Sequence, residues 1–367
     1  MERVRVELGE RGYDICLGKD LLPKVGELCR EAGLMGRTLL VSNPLVYSLY
    51  GGVVEASLDK AGVSVVYAEM GDGEEYKNLE TVSHLYDVAI GSRLDRTSFI
   101  IALGGGVVGD VAGFTAATFL RGVPFVQIPT TLQAQVDSSV GGKVAVNHPR
   151  GKNLIGAFHQ PALVVADIGT LATLDSRQMV AGMAEVIKYG IIWDKDFLNY
   201  VDEHMEEIYR LDPQVLTWVI KRSCEIKSEI VGQDERDEDV RSILNYGHTI
   251  GHALEVHTGY GTYLHGEAVA IGMSLAAEIS LRLGNLSLQE RTVIDRVLQK
   301  AGLPIRPPSW DVQEIYAALL RDKKVRRGVV RFVLPRGLGQ GYITDELPRE
   351  LVLDVLRQTL TGEGDEV

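Results

Sequence analysis

Cysteine is scarce in this chain: there are three, Cys16, Cys29 and Cys224, in 367 residues, with no C-x-x-C pair among them. That scarcity excludes a disulfide framework or a cysteine-built zinc knuckle and suits a reducing cytoplasm. Long hydrophobic runs are missing too. No apolar stretch reaches the roughly 18 residues of a membrane helix, and the opening MERVRVELGERGYDI leads into no apolar signal core. A cytoplasmic protein is therefore expected. Net positive charge is also lacking: 38 Lys and Arg stand against 50 Asp and Glu, a formal charge of -12. A nucleic-acid or membrane partner finds no global attraction in such a chain. An anionic small molecule would have to be met by locally placed Lys and Arg, so local basic clusters carry information.

The length exceeds what one ordinary hydrophobic core supports, so two domains are expected. The first part alternates strands and helices. RTLLVSN, VSVVYAE, SFIIALGGG and PFVQIPTT read as strands, while VVEASLDKAG, LETVSHLYDVAIGSRL and GDVAGFTAATFLRG read as helices. Runs apolar on both faces, such as SFIIAL, suit parallel strands covered by helices. Residues 1–174 are thus predicted to be an α/β domain with a mostly parallel sheet, a variant of the Rossmann type. Residues 175–367 are predicted to be mainly α-helical, with helical spacing in MVAGMAEVIKYGIIW, PQVLTWVIKRSCEIKSEIV, RSILNYGHTIGHALEVHTG and HGEAVAIGMSLAAEISLRLG. VVRFVLPRGLG adds a late strand or hairpin.

LGGGVVGD follows a buried strand and opens a helix, so Gly104, Gly106 and Gly109 satisfy G-x-G-x-x-G. Residues without Cβ let backbone amides approach a pyrophosphate at a helix start, although close strand-to-helix packing selects glycine as well. The acidic residue expected about 20 positions on for a ribose is absent from PFVQIPTT, and the motif sits on a late strand. A dinucleotide would therefore bind in a variant mode. Its further contacts would come from Asn43, from the loop Asp72 to Lys77, and from Thr130 and Thr131, all at predicted strand ends.

His248 and His252 lie four apart on one helical face, and His265 begins the next helix, with His257 a further possibility. Neutral imidazoles with one carboxylate and an open position make a catalytic metal site. Glu185, flanked by apolar residues in GMAEVIKYG, is the carboxylate that would be costly to bury alone. The spacing is not H-E-x-x-H, which removes the metalloprotease reading. Lys143 and Lys152, each preceded by glycine on an expected loop, with Asn153 beside the second, suit phosphate or carboxylate. Arg121, Lys188, Lys227, Arg241, Lys323 and Lys324 complete the basic inventory.

Taken together, DGEEYK, GGGVVGDVAGF, RGVPFVQIPTTLQAQVDSSVGGKVAVN, GKNLIGAFHQP, AEVIKYG, LNYGHTIGHALE and HGEAVAIGM resemble the 3-dehydroquinate synthase family over nearly the whole chain. The resemblance implies Glu185, His248 and His265 as ligands of Zn2+ or Co2+, with His252 facing substrate instead. It implies NAD contacts from Asp72, Gly73, Glu74, Glu75, Tyr76 and Lys77, from Gly106, Val107, Val108, Gly109 and Asp110, from Thr130 and Thr131, and from Thr170, Leu171, Ala172 and Thr173. Asn43 stands where some relatives carry Asp. Lys143 and Lys152 would lie where cofactor and substrate meet. Asp137, Asn153, Lys188, Lys227, Arg241 and Asn245 would line the substrate pocket, with Lys324 as the late basic contact. Arg121 would reach across a homodimer interface.

The implied reaction converts 3-deoxy-D-arabino-heptulosonate 7-phosphate to 3-dehydroquinate and phosphate. It proceeds by transient oxidation on NAD, elimination, reduction and intramolecular aldol closure. Its substrate is a small sugar phosphate acid. A polyol dehydrogenase of similar architecture is the first rival, and it would release NADH. A sister cyclase acting on a sugar phosphate without a carboxylate is the second, and it would leave Lys227 and Arg241 without that group to receive. A non-catalytic sensor would leave the basic residues idle.

Overall fold

The computed structural model describes residues 1–259, 262–307, 310–321 and 330–361. They form two units, Met1–Asp175 with Leu211–Arg236, and Ser176–Arg210 with Asp237 onward.

The first unit opens with an antiparallel pair, β1 (Glu2–Val6) and β2 (Tyr13–Gly18). There follow α1 (Val25–Glu31), β3 (Thr38–Ser42), the short α2 (Pro44–Val46), α3 (Gly52–Lys60), β4 (Val65–Glu69), α4 (Leu79–Gly91), β5 (Phe99–Gly104), α5 (Gly106–Thr118) and β6 (Phe125–Pro129). A hairpin of β7 (Lys143–His148) and β8 (Gly151–Phe158) precedes β9 (Leu163–Asp167). Seven strands form one sheet in the order β1-β2-β9-β6-β5-β3-β4, parallel at every pairing except β1 with β2. Every residue of β3, β5, β6 and β9 is buried, as strands covered on both faces must be. Alternation divides them between two cores: Leu39, Val41, Ile100 and Ala102 enter one, and Leu40, Phe99, Ile101 and Leu103 the other. β3 pairs with β4 on one side and β5 on the other, so the winding reverses between β3 and β5. Ligands of open α/β sheets bind outside the strand ends at such a reversal.

The second unit begins with α6 (Ser176–Ile192), α7 (Lys195–Glu203) and α8 (Met205–Tyr209). The chain then rejoins the first unit as α9 (Pro213–Gln233). This differs from the continuous helical domain expected from residue 175 onward. The reason is local: Lys221 reaches Glu2 at 2.7 Å, Cys224 donates to the Gln135 carbonyl at 3.3 Å, and Lys227 bonds Asp137. Helical periodicity says that a face is buried, not which core buries it. The run from VDSSVGG to GAFHQ also differs, because it pairs as β7 and β8 where a loop was expected, with Lys143 opposite Phe158 and a bulge between Val146 and His148.

A 3-10 turn (Val240–Asn245) leads to α10 (His248–Thr258), α11 (His265–Arg282), α12 (Leu288–Lys300), α13 (Val312–Arg321), the hairpin β10 (Phe332–Pro335) and β11 (Gly341–Thr344), and α14 (Arg349–Thr361). The single helix predicted across RSILNYGHTIGHALEVHTG is therefore two elements, broken where Gly247 takes φ +78°. No described helix is long and apolar enough to cross a membrane.

Burial has silenced the cysteines. All three are free and buried, and desolvation pushes the Cys29 and Cys224 thiols up to about 12. Asp167, at the end of β9, accepts the amides of Asp20, Leu21, Leu22 and Gly169 at 2.6–3.1 Å, which ties the loop after β2 to the sheet's centre.

Three helices of the second unit meet at backbone distance. A Cβ at Gly272 would stand 1.9 Å from the Gly247 carbonyl oxygen, and one at Gly266 would stand 1.9 Å from that of Ala181. Hence α11 lies against α10 on one side and α6 on the other with no room for a side chain. Gly272→Ala should destabilise by roughly 1–3 kcal/mol and lower Tm in thermal unfolding. Gly91→Ala, where a Cβ meets nothing within 4 Å, should hold or raise Tm, since alanine is the better helix former. Equal Tm values for the two variants would contradict the close-approach reading.

Candidate functional site

The close approach of α6, α10 and α11 assembles a polar cluster. Glu185, on α6, has no solvent exposure, and neither carboxylate oxygen accepts a hydrogen bond of ordinary geometry. Its Oε1 lies 3.6 Å from His248 Nε2 and 3.7 Å from His265 Nε2, while Lys188, one turn on and equally buried, forms an ion pair with Oε2. Burying a carboxylate with Oε1 left without a hydrogen bond is expensive. An added cation between the carboxylate and two imidazole nitrogens would remove that expense. One ligand atom from each of Glu185, His248 and His265 fits within a 4.8 Å span.

The ring of His248 is held for such a role. Its Nδ1 stands 3.0 Å from the Tyr246 carbonyl. A carbonyl only accepts, so Nδ1 carries the proton of this bond and the Nε2 edge of the ring faces the cluster. Tyr246 is itself fixed, fully buried, with its hydroxyl donating to the Met273 carbonyl of α11 at 2.7 Å.

His252 and His265 belong, with Glu255, to a second group whose ligand atoms fit the same span. His257, the fourth histidine left open by spacing, sits apart, 3.0 Å from Glu314 on α13. Arg241, almost wholly buried, and the half-buried Asn245 lie on the 3-10 turn that feeds into Gly247 and His248. Lys324 and Lys323 lie outside the described residues.

In the first unit the glycine signature separates into two functions. A Cβ at Gly109 would stand 2.6 Å from Gln127 Oε1 of β6, and one at Gly113 would stand 2.4 Å from Val144 of β7, so these glycines serve packing. Gly105 caps α5, and the first i→i−4 bond runs from the Gly109 amide to the Gly105 carbonyl. The amides of Gly106, Val107 and Val108 therefore open the helix at the end of β5, beside the sheet's reversal. Across that reversal, Asn43 follows β3, donates to Asp72 at 2.7 Å and accepts the Val46 amide at 2.8 Å. Its amide is thus engaged in holding the loop Asp72 to Lys77.

That loop is pinned at further points. Asn147 of β7 donates to Glu74 Oε1 at 2.8 Å, its own amide reaches the Lys77 carbonyl at 2.8 Å, and its side-chain oxygen accepts the Asn153 amide. Lys77 Nζ lies 2.5 Å from Asp110 on α5. Burial pulls the Lys77 ammonium down, but Asp110 and Glu74 outweigh it and hold the group above the ordinary lysine range. Lys227 of α9 donates to both the carbonyl and the carboxylate of Asp137, at 2.6 and 2.8 Å.

Thr130 is buried, and Thr131 caps the turn that follows by accepting the Ala134 amide. In Thr170 to Thr173 the Thr170 hydroxyl is engaged by Gln135 and the Asp167 carbonyl, and Leu171 points into the core. Thr173 meets the Tyr50 hydroxyl, also bonded to the Thr170 carbonyl. Lys143 is exposed, Lys152 half-buried, and Asn153 adopts φ +53° on the hairpin. Arg121 is exposed in a turn where Leu120 (φ +50°), Arg121 (φ +71°) and Gly122 (φ +115°) are all left-handed. Sequence reasoning missed Glu255 and Asp167. Glu255 sits seven residues after His248 on one helical face, a signal that spacing carried unread.

A doubly wound sheet open at helix-start amides, with a helical unit carrying a Glu–His–His cluster, defines an α/β enzyme. The chain belongs to the 3-dehydroquinate synthase family: the family's N-terminal description matches residues 67–181 and its C-terminal description residues 182–325. It is 50% identical over 361 residues to 3-dehydroquinate synthase of Pelotomaculum thermopropionicum, covering 97% of this chain and 96% of that one. Two solved structures, each 28% identical with a TM-score of 0.88, are similar. One is 2-epi-5-epi-valiolone synthase from Streptomyces hygroscopicus with NAD+ and Zn2+, covering 96% of this chain and 97% of that one. The other is 2-deoxy-scyllo-inosose synthase with carbaglucose-6-phosphate, NAD+ and Co2+, covering 97% and 100%.

The Lys77–Asp110 pair gives a direct test. Lys77→Met should destabilise by about 2 kcal/mol, less than the ~3–5 kcal/mol of a fully buried pair because Asp110 keeps some solvent access. Lys77→Met with Asp110→Leu should recover most of the loss in urea unfolding. A double variant no more stable than the single would contradict the charge-pair account.

Proposed function

We propose that this chain catalyses the reaction of its family, converting 3-deoxy-D-arabino-heptulosonate 7-phosphate to 3-dehydroquinate and phosphate. It would act as a carbon–oxygen lyase with NAD and Zn2+ or Co2+. The observation that carries the reading is the buried Glu185 carboxylate, with two imidazole Nε2 atoms within 3.7 Å, in a chain 50% identical to a 3-dehydroquinate synthase. When bound, the metal supplies a Lewis acid for substrate hydroxyls, and NAD supplies a hydride acceptor that is regenerated within each turnover.

Glu185, His248 and His265 hold the metal, and His252 faces substrate. In the first unit, the amides of Gly106, Val107 and Val108 meet the NAD pyrophosphate. Asn43, Asp72 to Lys77, Gly109, Asp110, Thr130, Thr131 and Thr170 to Thr173 complete that site. Lys143 and Lys152 serve cofactor and substrate together, and Asp137, Asn153 and Lys227 position substrate. In the second unit, Lys188, Asn245, Lys324 and Arg241 do the same. The buried Arg241 guanidinium offers the fork geometry that a carboxylate pairs with. Arg121, held exposed by its left-handed turn, faces a second copy in a homodimer. Free, buried cysteines suit a cytoplasmic setting.

The sister cyclases stand at 28% identity against 50% for the synthase relative, which favours the heptulosonate. Purified protein with NAD and Zn2+ or Co2+ should release phosphate from the heptulosonate with no NADH accumulating at the nicotinamide absorbance. Stoichiometric NADH from a polyol, or phosphate release from glucose 6-phosphate instead, would overturn the assignment. Glu185→Gln and His265→Ala should lose both tight metal binding and turnover. Loss of a buried guanidinium–carboxylate pair costs about 2 kcal/mol or more, so Arg241→Met should raise KM by roughly 30-fold or more. An unchanged KM removes Arg241 from that role.

A further inference from the structure

We infer that Glu255 is the positioning residue that fixes His265 as an Nε2 ligand, an inference that rests on the proposed metal set of Glu185, His248 and His265. Each of the two imidazoles must present one particular nitrogen, because only Nε2 points to Glu185 Oε1. An imidazole free to turn or to carry its proton on Nε2 is no ligand. For His248 the requirement is met by the Tyr246 carbonyl on Nδ1.

His265 opens α11, and its Nδ1 faces Glu255 Oε2 at 3.4 Å. Glu255 is nearly fully buried on α10, two turns after His248 and one turn after His252. A carboxylate oxygen accepting at Nδ1 places the ring proton there and leaves the Nε2 lone pair facing the cluster. The contact is a few tenths of an ångström longer than a formed charge-assisted bond of about 2.7–2.9 Å. A small ring rotation as Nε2 takes a cation would close it.

The alternative is that His252, Glu255 and His265 hold a cation of their own, since their ligand atoms also fit within 4.8 Å. The two uses of His265 conflict: a ring that keeps its proton on Nδ1 for Glu255 has no lone pair there for a metal. Glu255 is either an orienter or a ligand.

The experiment measures Co2+ affinity by chelator competition, Co2+ stoichiometry and the Co2+ visible spectrum. It uses the full chain and Glu255→Ala, Glu255→Gln and Glu185→Gln, with circular dichroism to establish folding. One Co2+ per chain is expected in the unmodified protein. Glu255→Ala should weaken it on the order of 10–100-fold with an altered d–d spectrum. Glu255→Gln, which keeps an acceptor without the charge, should fall between. Wild-type affinity and spectrum in Glu255→Ala would overturn the inference while leaving the metal set intact. So would two Co2+ per chain with one lost in Glu255→Ala, because Glu255 would then be a ligand. Retention of Co2+ by Glu185→Gln would overturn the metal set and this inference with it. Should Glu255→Ala not fold, 15N NMR of the unmodified metal-free protein decides. A proton on His265 Nδ1 supports the orienting role, and one on Nε2 sinks it.

Discussion

A carboxylate with no access to water is the constraint on which the second unit turns. Glu185 sits on a helix whose neighbouring residues are buried on nearly every side, and Lys188 is paired with it by an ion contact. One ion pair does not fix three helices, so the arrangement is stable only if its elements are held in place by something other than the polar groups themselves. The helix contacts supply that hold. Gly266, Gly272 and Gly247 admit backbone at distances where any side chain would collide, and packing of that kind has few alternative registers. The functional atoms are placed by residues that have no function of their own.

The first unit answers a different requirement. Its glycine turn does not match the ordinary dinucleotide fingerprint in chain order, since it follows β5 and lacks the later acidic residue. Spatial order removes half of that objection. β5 borders the reversal of the sheet, next to β3, so the turn occupies the place where a doubly wound sheet receives ligand whatever its rank along the chain. The loop after β4, proposed to meet the cofactor in place of that acid, is pinned by Asn43, Asn147 and Asp110. Such pinning cannot be read from one short motif.

Legibility followed the physical origin of each feature. Burial periodicity marked β3 to β6 and the long helices, because apolar faces are written in side chains. The hairpin β7–β8 was missed: β8 is half exposed, rich in glycine and polar residues, and lacks the alternation that announces a strand. The allegiance of α9 was missed because an amphipathic stripe fits any core. The break at Gly247 was passed over, since glycine inside a helical pattern is read as tolerated until its φ is known. Among site residues, Glu185, His248 and His265 stood out by type and setting. Asp167 and Glu255 did not, because a carboxylate that serves backbone amides or an imidazole edge leaves no signature of its own in sequence.

One further tension runs through both units. A chain of net charge -12 is proposed to bind anions, and its key cations are already matched: Lys77 with Asp110, Lys227 with Asp137 and Lys188 with Glu185. Free ammonium groups at those depths would be driven toward neutrality by desolvation. Pairing opposes that loss of charge, and for Lys77 it prevails: Asp110 and Glu74 hold the ammonium above the ordinary lysine range. Under the proposed function, an incoming phosphate or carboxylate would compete with a resident carboxylate that is already ordered and would gain only the difference between the two partners. That difference is small for a poorly fitting anion and larger for one whose geometry matches the cation it meets. Under the proposed function, selectivity would come from the fit at each such cation, with the negative overall field disfavouring other anions.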